Sequence, residues 1–215
     1  MFITFEGIDG CGKSTQVSRF EATLKKRGIS LIVTSEPGGT KIGEAIRRIL
    51  LHVDNTHIVP LAELFLYEAD RAQHVSEVIK PALEAGKWVI CDRYFDATTV
   101  YQGAVLGHHE RLIEQINREA ALGCQPDITF LLDCPAEVGL ERIAKRHKHD
   151  RKRDRFESKT LDFHIKIRYG YLALANRHKD RFRIIDSTLP EDQVARKIRE
   201  IISPHLPETG TQQAG

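Results

Sequence analysis

Residues 7–14 read Gly-Ile-Asp-Gly-Cys-Gly-Lys-Ser and directly follow an apolar run at 2–5. This spacing, G-x-x-x-x-G-K-S between a strand and a helical pattern, is typical of a phosphate-binding loop. In such a loop, successive backbone N–H groups surround an anion, and the N-terminus of the next helix adds partial positive charge. Lys13 would reach the β- and γ-phosphates of a nucleotide, and the Ser14 hydroxyl would hold Mg²⁺. The sequence therefore predicts a nucleoside triphosphate ligand.

Five short apolar runs alternate with helical patterns, which favours a parallel sheet covered by helices. The predicted strands are 2–5, 31–34, 88–91, 128–132 and 182–185, and the predicted helices are 13–27, 42–51, 61–84, 111–122, 136–145, 159–177 and 191–202. Ligands of such sheets bind beyond the carboxyl ends of the strands. The polar residues that follow the strands are therefore the candidates for ligand binding: Asp9, Glu36, Asp92, Arg93, Asp133 and Asp186.

The composition indicates one domain of 215 residues, and its 41% hydrophobic content is sufficient for a core. We expect the domain at 1–203 and a flexible tail at 204–215, although 206–210 match an L-P-x-T-G sorting signal. The net charge of +2 gives no overall signal for a nucleic-acid partner, and no apolar run is long enough for a membrane span. The four cysteines form no C-x-x-C pair, which fits reduced thiols in the cytoplasm.

Four side chains near the middle of the chain could recognise a nucleotide. Arg93 follows a predicted strand and could contact two phosphate oxygens, or form an ordinary ion pair with a carboxylate. Gln102 offers a donor and an acceptor, as the edge of a pyrimidine does. Tyr67 and Arg71 share one helix face and could stack on and hydrogen-bond a base. Their spacing alone instead favours a core tyrosine and a surface arginine.

The segment 142–155 is strongly basic, with Lys or Arg at eight of its fourteen positions. Such a run is often a solvated surface or a nucleic-acid patch. Between two helices of a triphosphate-binding protein, we interpret it as a lid, at about 146–156, that supplies positive charge to the transferring phosphate.

Taken together, the motifs resemble those of bacterial thymidylate kinases. They are the loop at 5–15, Glu36-Pro37-Gly38-Gly39-Thr40, Asp70-Arg71, Asp92-Arg93-Tyr94 and Tyr101-Gln102-Gly103. The resemblance implies a three-layer α/β/α fold with five parallel strands in the order 2-3-1-4-5, a homodimer, and transfer of a phosphoryl group from ATP to dTMP with Mg²⁺. Two alternatives remain: another nucleotide kinase, for deoxynucleosides or for UMP and CMP, and a P-loop ATPase or GTPase, with Leu131-Leu132-Asp133 as its Walker-B strand.

The resemblance also implies residue roles. The ATP phosphates would meet Gly7, Ile8, Asp9, Gly10, Cys11, Gly12, Lys13, Ser14 and Thr15, with Arg142 beside adenine. The dTMP site would comprise Asp9, Glu36, Pro37, Tyr67, Arg71, Arg93, Thr98, Tyr101 and Gln102. Within it, Asp9 would meet the 3′-hydroxyl and Arg93 the phosphate, while Tyr67 would stack on thymine. Ser14 and Asp92 would hold Mg²⁺.

The catalytic cations implied are Lys13, Arg93 and one lid arginine among Arg151, Arg153 and Arg155. Some thymidylate kinases carry an arginine inside the phosphate loop, but this chain has Gly10 there. Asp154-Arg155-Phe156-Glu157 resembles the end of the family's lid, which makes Arg155 the leading candidate.

Overall fold

The computed structural model describes residues 1–147 and 154–207 and contains a five-stranded parallel sheet. Its strands are β1 (Phe2–Glu6), β2 (Leu31–Ser35), β3 (Trp88–Asp92), β4 (Ile128–Asp133) and β5 (Phe182–Asp186). They lie in the order β2-β3-β1-β4-β5, so the predicted α/β fold and strand order are confirmed. Asp92 pairs in register with both Phe5 and Ser35, so the carboxyl ends of three strands meet at one edge.

Helices cover both faces of the sheet. They are α1 (Lys13–Lys26), α2 (Lys41–Leu51), α3 (Pro60–His74), α4 (Lys80–Glu84), α5 (Phe95–Thr98), α6 (Glu110–Ala121), α7 (Ala136–His147), α8 (Leu161–Arg177) and α9 (Glu191–Ile202). Alternate residues of a strand point to opposite faces. Accordingly, Ile3 and Phe5 pack in one buried cluster with Phe20 of α1, and Phe2 packs in another with Val75.

The helix predicted at 61–84 is one continuous helical segment whose winding changes. A π-helical stretch, Val75–Ile79, separates α3 from α4. Pro81 lies just after this stretch, and proline has no N–H to complete the regular α-helical hydrogen bonds of the preceding turn. The wider winding is consistent with that missing donor.

The sequence patterns missed the helical segment 95–105, which is α5 followed by a π-helix at Thr99–Val105. Its threonines, valines and Gly103 have low helix propensity, so no local signal marked it. Packing against α6 and α8 supplies the stabilisation that propensity lacks. A short 3₁₀ turn at Ser203–His205 follows α9 and includes the first two residues of the tail predicted at 204–215.

Among the residues that the structure describes, no helix has the length and apolar character that a membrane span requires.

Candidate active site

The loop between β1 and α1 wraps around the lysine that follows it. Lys13 is the first residue of α1, and its Nζ donates to the carbonyl oxygens of Gly7 (3.1 Å) and Ile8 (3.0 Å). Gly12, just before the helix, has a positive φ of 98°, which glycine adopts without strain. The N-terminus of α1 therefore faces the loop, as an anion site requires.

The next residue, Ser14, links the loop to the neighbouring strand. Its Oγ donates to Oδ2 of Asp92, the last residue of β3, at 2.8 Å. A hydroxyl and a carboxylate side by side are oxygen ligands of the kind that Mg²⁺ prefers.

Arg93 lies between the loop and α8 and is held from two sides. Its Nη2 donates to Oδ1 of Asp9 at 2.5 Å, and its Nη1 donates to the hydroxyl of Tyr171 at 3.0 Å. The Tyr171 hydroxyl in turn donates to Oε2 of Glu6 at 2.7 Å. Burial by itself raises the pKa of Asp9, but the charges of Arg93 and Lys13 outweigh it and lower that pKa below its usual value.

The backbone at Arg93 is unusual. Its φ is +71°, a left-handed conformation that non-glycine residues seldom adopt. The next backbone N–H, of Tyr94, donates to Oε1 of Glu6 at 2.7 Å, which holds the turn. A strained residue held this way at the end of a strand points to a functional site.

Arg71 of α3 is almost completely buried, with 1% of its surface exposed. Four of its five N–H groups have acceptors: Nε donates to Glu36 (2.9 Å), Nη1 to Glu68 (2.5 Å) and Asn117 (3.1 Å), and Nη2 to Thr98 (3.0 Å). One N–H on Nη2 is therefore left for a ligand.

Gln102 lies near this arginine, on the π-helix that follows α5. Its Nε2 donates to Oε1 of Glu63 at 2.8 Å, and the other oxygen of Glu63 accepts from Nη2 of Arg155 at 2.6 Å. Glu63, Arg71 and Gln102 are each at most 2% exposed, so this group is shielded from solvent.

One cavity of about 730 Å³ contains both groups of side chains. We call the part lined by Asp9, Lys13, Ser14, Asp92 and Arg93 the phosphate side, and the part lined by Glu36, Arg71, Thr98 and Gln102 the base side. The volume is that of a site for small molecules. Its two sides can thus hold a phosphate chain and a heterocycle at once.

Comparison with known proteins gives a consistent result. The family model described as thymidylate kinase matches residues 5–198. The chain belongs to the thymidylate kinase family. It is 47% identical to the thymidylate kinase of Trichlorobacter lovleyi over 96% of this chain and 98% of that protein. It is 49% identical to the thymidylate kinase of Desulfosudis oleivorans, over 91% of this chain and 92% of that protein. It is also 49% identical to the thymidylate kinase of Desulforapulum autotrophicum, over 96% of this chain and 92% of that protein. The resemblance predicted from the motifs is confirmed.

In this thymidylate kinase family member, most residues selected from the sequence line the same cavity. They are Asp9, Gly10, Cys11, Gly12, Lys13, Ser14, Thr15, Glu36, Pro37, Tyr67, Arg71, Asp92, Arg93, Thr98, Tyr101, Gln102 and Arg142. Gly7 and Ile8 meet the site through carbonyls that accept from Lys13. Arg151 and Arg153 lie outside the described residues.

Three arginines have partners that sequence reasoning did not foresee. Arg155 is 8% exposed, and its Nε and Nη2 donate to Leu50 O and Glu63. Arg71, for which the spacing favoured a surface position, is instead buried. Arg142 donates to the carbonyl of Ser187 at 2.9 Å and lines the cavity at the loop after β5.

Sequence reasoning missed several residues that build the thymidylate kinase site. Tyr171 and Asn117 come from α8 and α6, distant in sequence, and no local pattern marked them. Glu63 did have a signal, since Glu63, Tyr67 and Arg71 recur every four residues on one face of α3. Arg47 also lines the cavity, and its Nη1 donates to the carbonyl of Pro37 at 2.5 Å.

Proposed function

We propose that this protein transfers the γ-phosphoryl group of ATP to dTMP, giving dTDP and ADP, as one step in the supply of dTTP. A phosphate oxygen of dTMP forms a bond to the γ-phosphorus while the bond from that phosphorus to the β–γ bridging oxygen breaks. The observation that carries the proposal is the single cavity in which a phosphate-binding loop adjoins a base side made of Arg71, Thr98 and Gln102. Membership of the thymidylate kinase family supports the same reaction.

On the phosphate side, Lys13 binds the β- and γ-phosphates, and the backbone N–H groups of the loop hold the rest of the chain. Arg93 has three N–H groups beyond the two that contact Asp9 and Tyr171, and these bind the dTMP phosphate. Asp9 accepts from the 3′-hydroxyl, and Tyr101, whose hydroxyl is 3.4 Å from Asp9, packs beside the sugar. Arg142 lies on the adenine side.

On the base side, Tyr67 stacks on thymine while Arg71, Thr98 and Gln102 contact its polar edge. The carboxylate of Glu36 accepts a hydrogen bond from Nε of Arg71, and the next residue, Pro37, also lines the cavity. The burial of Arg71, Thr98 and Gln102 supports recognition by fixed geometry, because buried side chains have little freedom left to lose on binding.

Mg²⁺ would be held by Ser14 and Asp92 together with ATP oxygens, and it would neutralise charge on the phosphates. The donor set fits such a shared ion. Among the described residues there is no cluster of three or more His, Cys, Asp or Glu side chains that could hold a metal by itself. Mg²⁺ in kinases is commonly bound by one or two protein oxygens plus substrate phosphates.

The lid arginine remains a proposal, and Gly10 gives it support. Gly10 has a φ of +77°, and a Cβ there would overlap the backbone carbonyl of Gly139 in α7. An arginine at this loop position would require α7 to move. A further cation for the transferring group, which develops charge on its equatorial oxygens, must therefore come from elsewhere, and the candidates are Arg151, Arg153 and Arg155 of the basic run.

A homodimer is also proposed, with the outer face of α2, α3 and α6 as its interface. These helices pack side by side and expose large apolar side chains: Ile42, Ile49, Leu61, Phe65 and Leu112. Contiguous exposed apolar residues of this kind mark interaction surfaces. We place the enzyme in the cytoplasm, where its four free cysteines stay reduced.

The motor or switch alternative is disfavoured by the position of Asp133. This residue ends β4 as a Walker-B aspartate would, but both of its carboxylate oxygens accept from Arg168, at 2.7 and 2.8 Å. It does not line the cavity, whereas Asp92 at the end of β3 does and accepts from Ser14.

A coupled assay with ATP and a panel of acceptors tests the proposal. We expect dTMP to give a higher kcat/KM than UMP, CMP, dCMP and thymidine. A comparable value for UMP or CMP would favour the UMP/CMP kinase alternative, and efficient use of thymidine would favour a deoxynucleoside kinase. ATP hydrolysis that no acceptor stimulates would favour an ATPase.

A further inference from the structure

Glu63 connects the base side of the cavity to Arg155, the last residue of the basic run. Its Oε1 accepts from Gln102 at 2.8 Å and its Oε2 accepts from Arg155 at 2.6 Å. Arg155 is itself fixed, because its Nε donates to Leu50 O at 2.9 Å. Glu63 is 2% exposed, so its two oxygens cannot exchange these partners for water.

A carboxylate only accepts hydrogen bonds, and this determines which way the amide of Gln102 faces. If the amide were reversed, its carbonyl oxygen would lie 2.8 Å from a buried carboxylate oxygen with no proton between them. The NH₂ group must therefore face Glu63. Gln102 lines the cavity, and no described side chain donates to its Oε1. That oxygen, an acceptor, is the part of the amide left for a ligand.

The neighbouring Arg71 offers a ligand a hydrogen-bond donor, whereas Gln102 offers an acceptor. Four of the five N–H groups of Arg71 donate to Glu36, Glu68, Asn117 and Thr98. The fifth, on Nη2, is left to donate to a ligand. Thymine presents a donor at N3–H and an acceptor at O4, which matches this pair. Cytosine presents an acceptor at N3 and a donor at its 4-amino group, so both contacts would be repulsive.

We propose that Glu63 is a positioning residue that orients Gln102 and thereby makes the enzyme accept 4-oxopyrimidine monophosphates and reject 4-aminopyrimidine monophosphates. The inference rests on the proposed function and adds the side chain that sets its base preference. With the wrong base, a buried polar group would be mispaired. Such mispairing discriminates between substrates more strongly than a difference in apolar contact does.

Glu63→Gln gives a directional test because Arg155 orients the new amide. The guanidinium would take the carbonyl oxygen of the introduced side chain, which leaves the introduced NH₂ group facing Gln102. Gln102 would then turn its carbonyl toward that NH₂ and present its own NH₂ to the cavity. A donor at this place suits N3 of cytosine and opposes N3–H of thymine.

Steady-state kinetics with saturating ATP measure the effect. For Glu63→Gln we expect the ratio of kcat/KM for dTMP to that for dCMP to fall by roughly 10- to 100-fold, the size expected for one mispaired buried polar group. The change should lie mainly in the KM for dTMP. Glu110→Gln, the same substitution at a 58% exposed side chain of α6, is the matched control and should keep the wild-type ratio. A folded Glu63→Gln enzyme with a ratio within threefold of wild type would overturn the proposal.

Two further variants separate orientation from general support of the fold. Glu63→Asp keeps an acceptor-only group, so dTMP should stay preferred even if turnover falls. Arg155→Ala leaves the carboxylate in place and should also keep the preference. A purely structural role predicts that Glu63→Asp and Glu63→Gln reduce both substrates alike. If Glu63→Gln does not fold, loss of the dTMP preference in Glu63→Asp or Arg155→Ala would still refute the proposal. Failure of the proposed function is distinct, since the wild-type enzyme would then not phosphorylate dTMP at all.

Discussion

Arg71 on the base side is held by four side chains and is 1% exposed, whereas Arg93 on the phosphate side has two side-chain partners and a 16% exposed side chain. Ser14, also on the phosphate side, is exposed and bonds a single carboxylate. The phosphate side is formed largely by the backbone of the loop and the N-terminus of α1. The base side is formed by buried side chains that fix one another.

We relate this difference to what each side would recognise in the proposed function. A phosphate chain is highly charged and nearly symmetrical, so backbone N–H groups and a few cations suffice to bind it. A pyrimidine differs from its relatives by single donors and acceptors, so its site must have fixed polarity before the ligand arrives. Burying Glu36, Glu68 and Arg71 together costs desolvation, which their mutual hydrogen bonds offset.

The largest effect should follow from removal of the phosphate-side lysine. Lys13→Ala should lower kcat by about 10² to 10³, because one preorganised charge on the transferring group is lost. The fold should survive, since the backbone of the loop is unchanged. Lys26→Ala, at the exposed end of α1, is the matched control. Turnover near that of wild type in Lys13→Ala would contradict the loop assignment.

A lid arginine should also act on the rate more than on dTMP binding. We expect at least one of Arg151→Ala, Arg153→Ala and Arg155→Ala to lower kcat by about 10², with little change in the KM for dTMP, because the contact forms mainly in the transition state. The contacts of Arg155 with Leu50 and Glu63 place it closer to the base side. If all three variants keep kcat within a few-fold of wild type, the basic run is a solvated surface.

Arg93 should separate the two substrates. Arg93→Ala should weaken dTMP binding roughly 10- to 100-fold, the equivalent of a charge-assisted hydrogen bond of about 1.5–3 kcal/mol, and leave ATP binding nearly unchanged. Isothermal calorimetry with each nucleotide measures both affinities. Equal losses for dTMP and ATP would assign Arg93 to the triphosphate.

The same contrast explains what the sequence could reveal. The phosphate loop is a continuous motif, so its backbone conformation and the role of Lys13 follow from residues within eight positions of one another. The parallel sheet could also be predicted, from the alternation of apolar runs with helical patterns, and its strand order could be predicted from the resemblance to thymidylate kinases. Segments stabilised chiefly by packing, such as 95–105, had no comparable signal.

The base side could be anticipated only in part. Arg71 and Gln102 were selected, but the spacing favoured a surface position for Arg71, because its partners Asn117 and Thr98 lie 46 and 27 positions away. Burial of an arginine depends on acceptors supplied by other elements, which a local pattern does not contain. The role of Glu63 depends likewise on Gln102 and Arg155, 39 and 92 positions away.

The most gradual effect concerns pH, and it should have opposite signs on the two sides. Asp70 lies behind the base side, fully buried, and faces Glu36, His74, Arg71 and the backbone N–H of Gly38. Burial, reinforced by the charge of Glu36, raises the pKa of Asp70 from 3.8 to about 7. The pKa of Asp9 on the phosphate side is instead lowered, because Arg93 and Lys13 outweigh the effect of its burial.

The sign follows from proton uptake. Between pH 4 and 7 the folded protein holds a proton on Asp70 that the unfolded chain has released, so this group's contribution to stability is present below about pH 4 and lost as the pH rises to about 7. The free energy of unfolding of Asp70→Asn minus that of wild type should therefore increase across this window, by at most about 1.4 kcal/mol per pH unit. For Asp9→Asn the same difference should stay constant above pH 4 and change only in more acidic solution, where wild type loses the contribution of its ionised Asp9. Urea unfolding at pH 5, 6, 7 and 8 measures both differences, and titrations common to all three proteins cancel. A flat difference for Asp70→Asn, or equal slopes for the two variants, would show that the buried charges of the base side do not set it apart from the phosphate side.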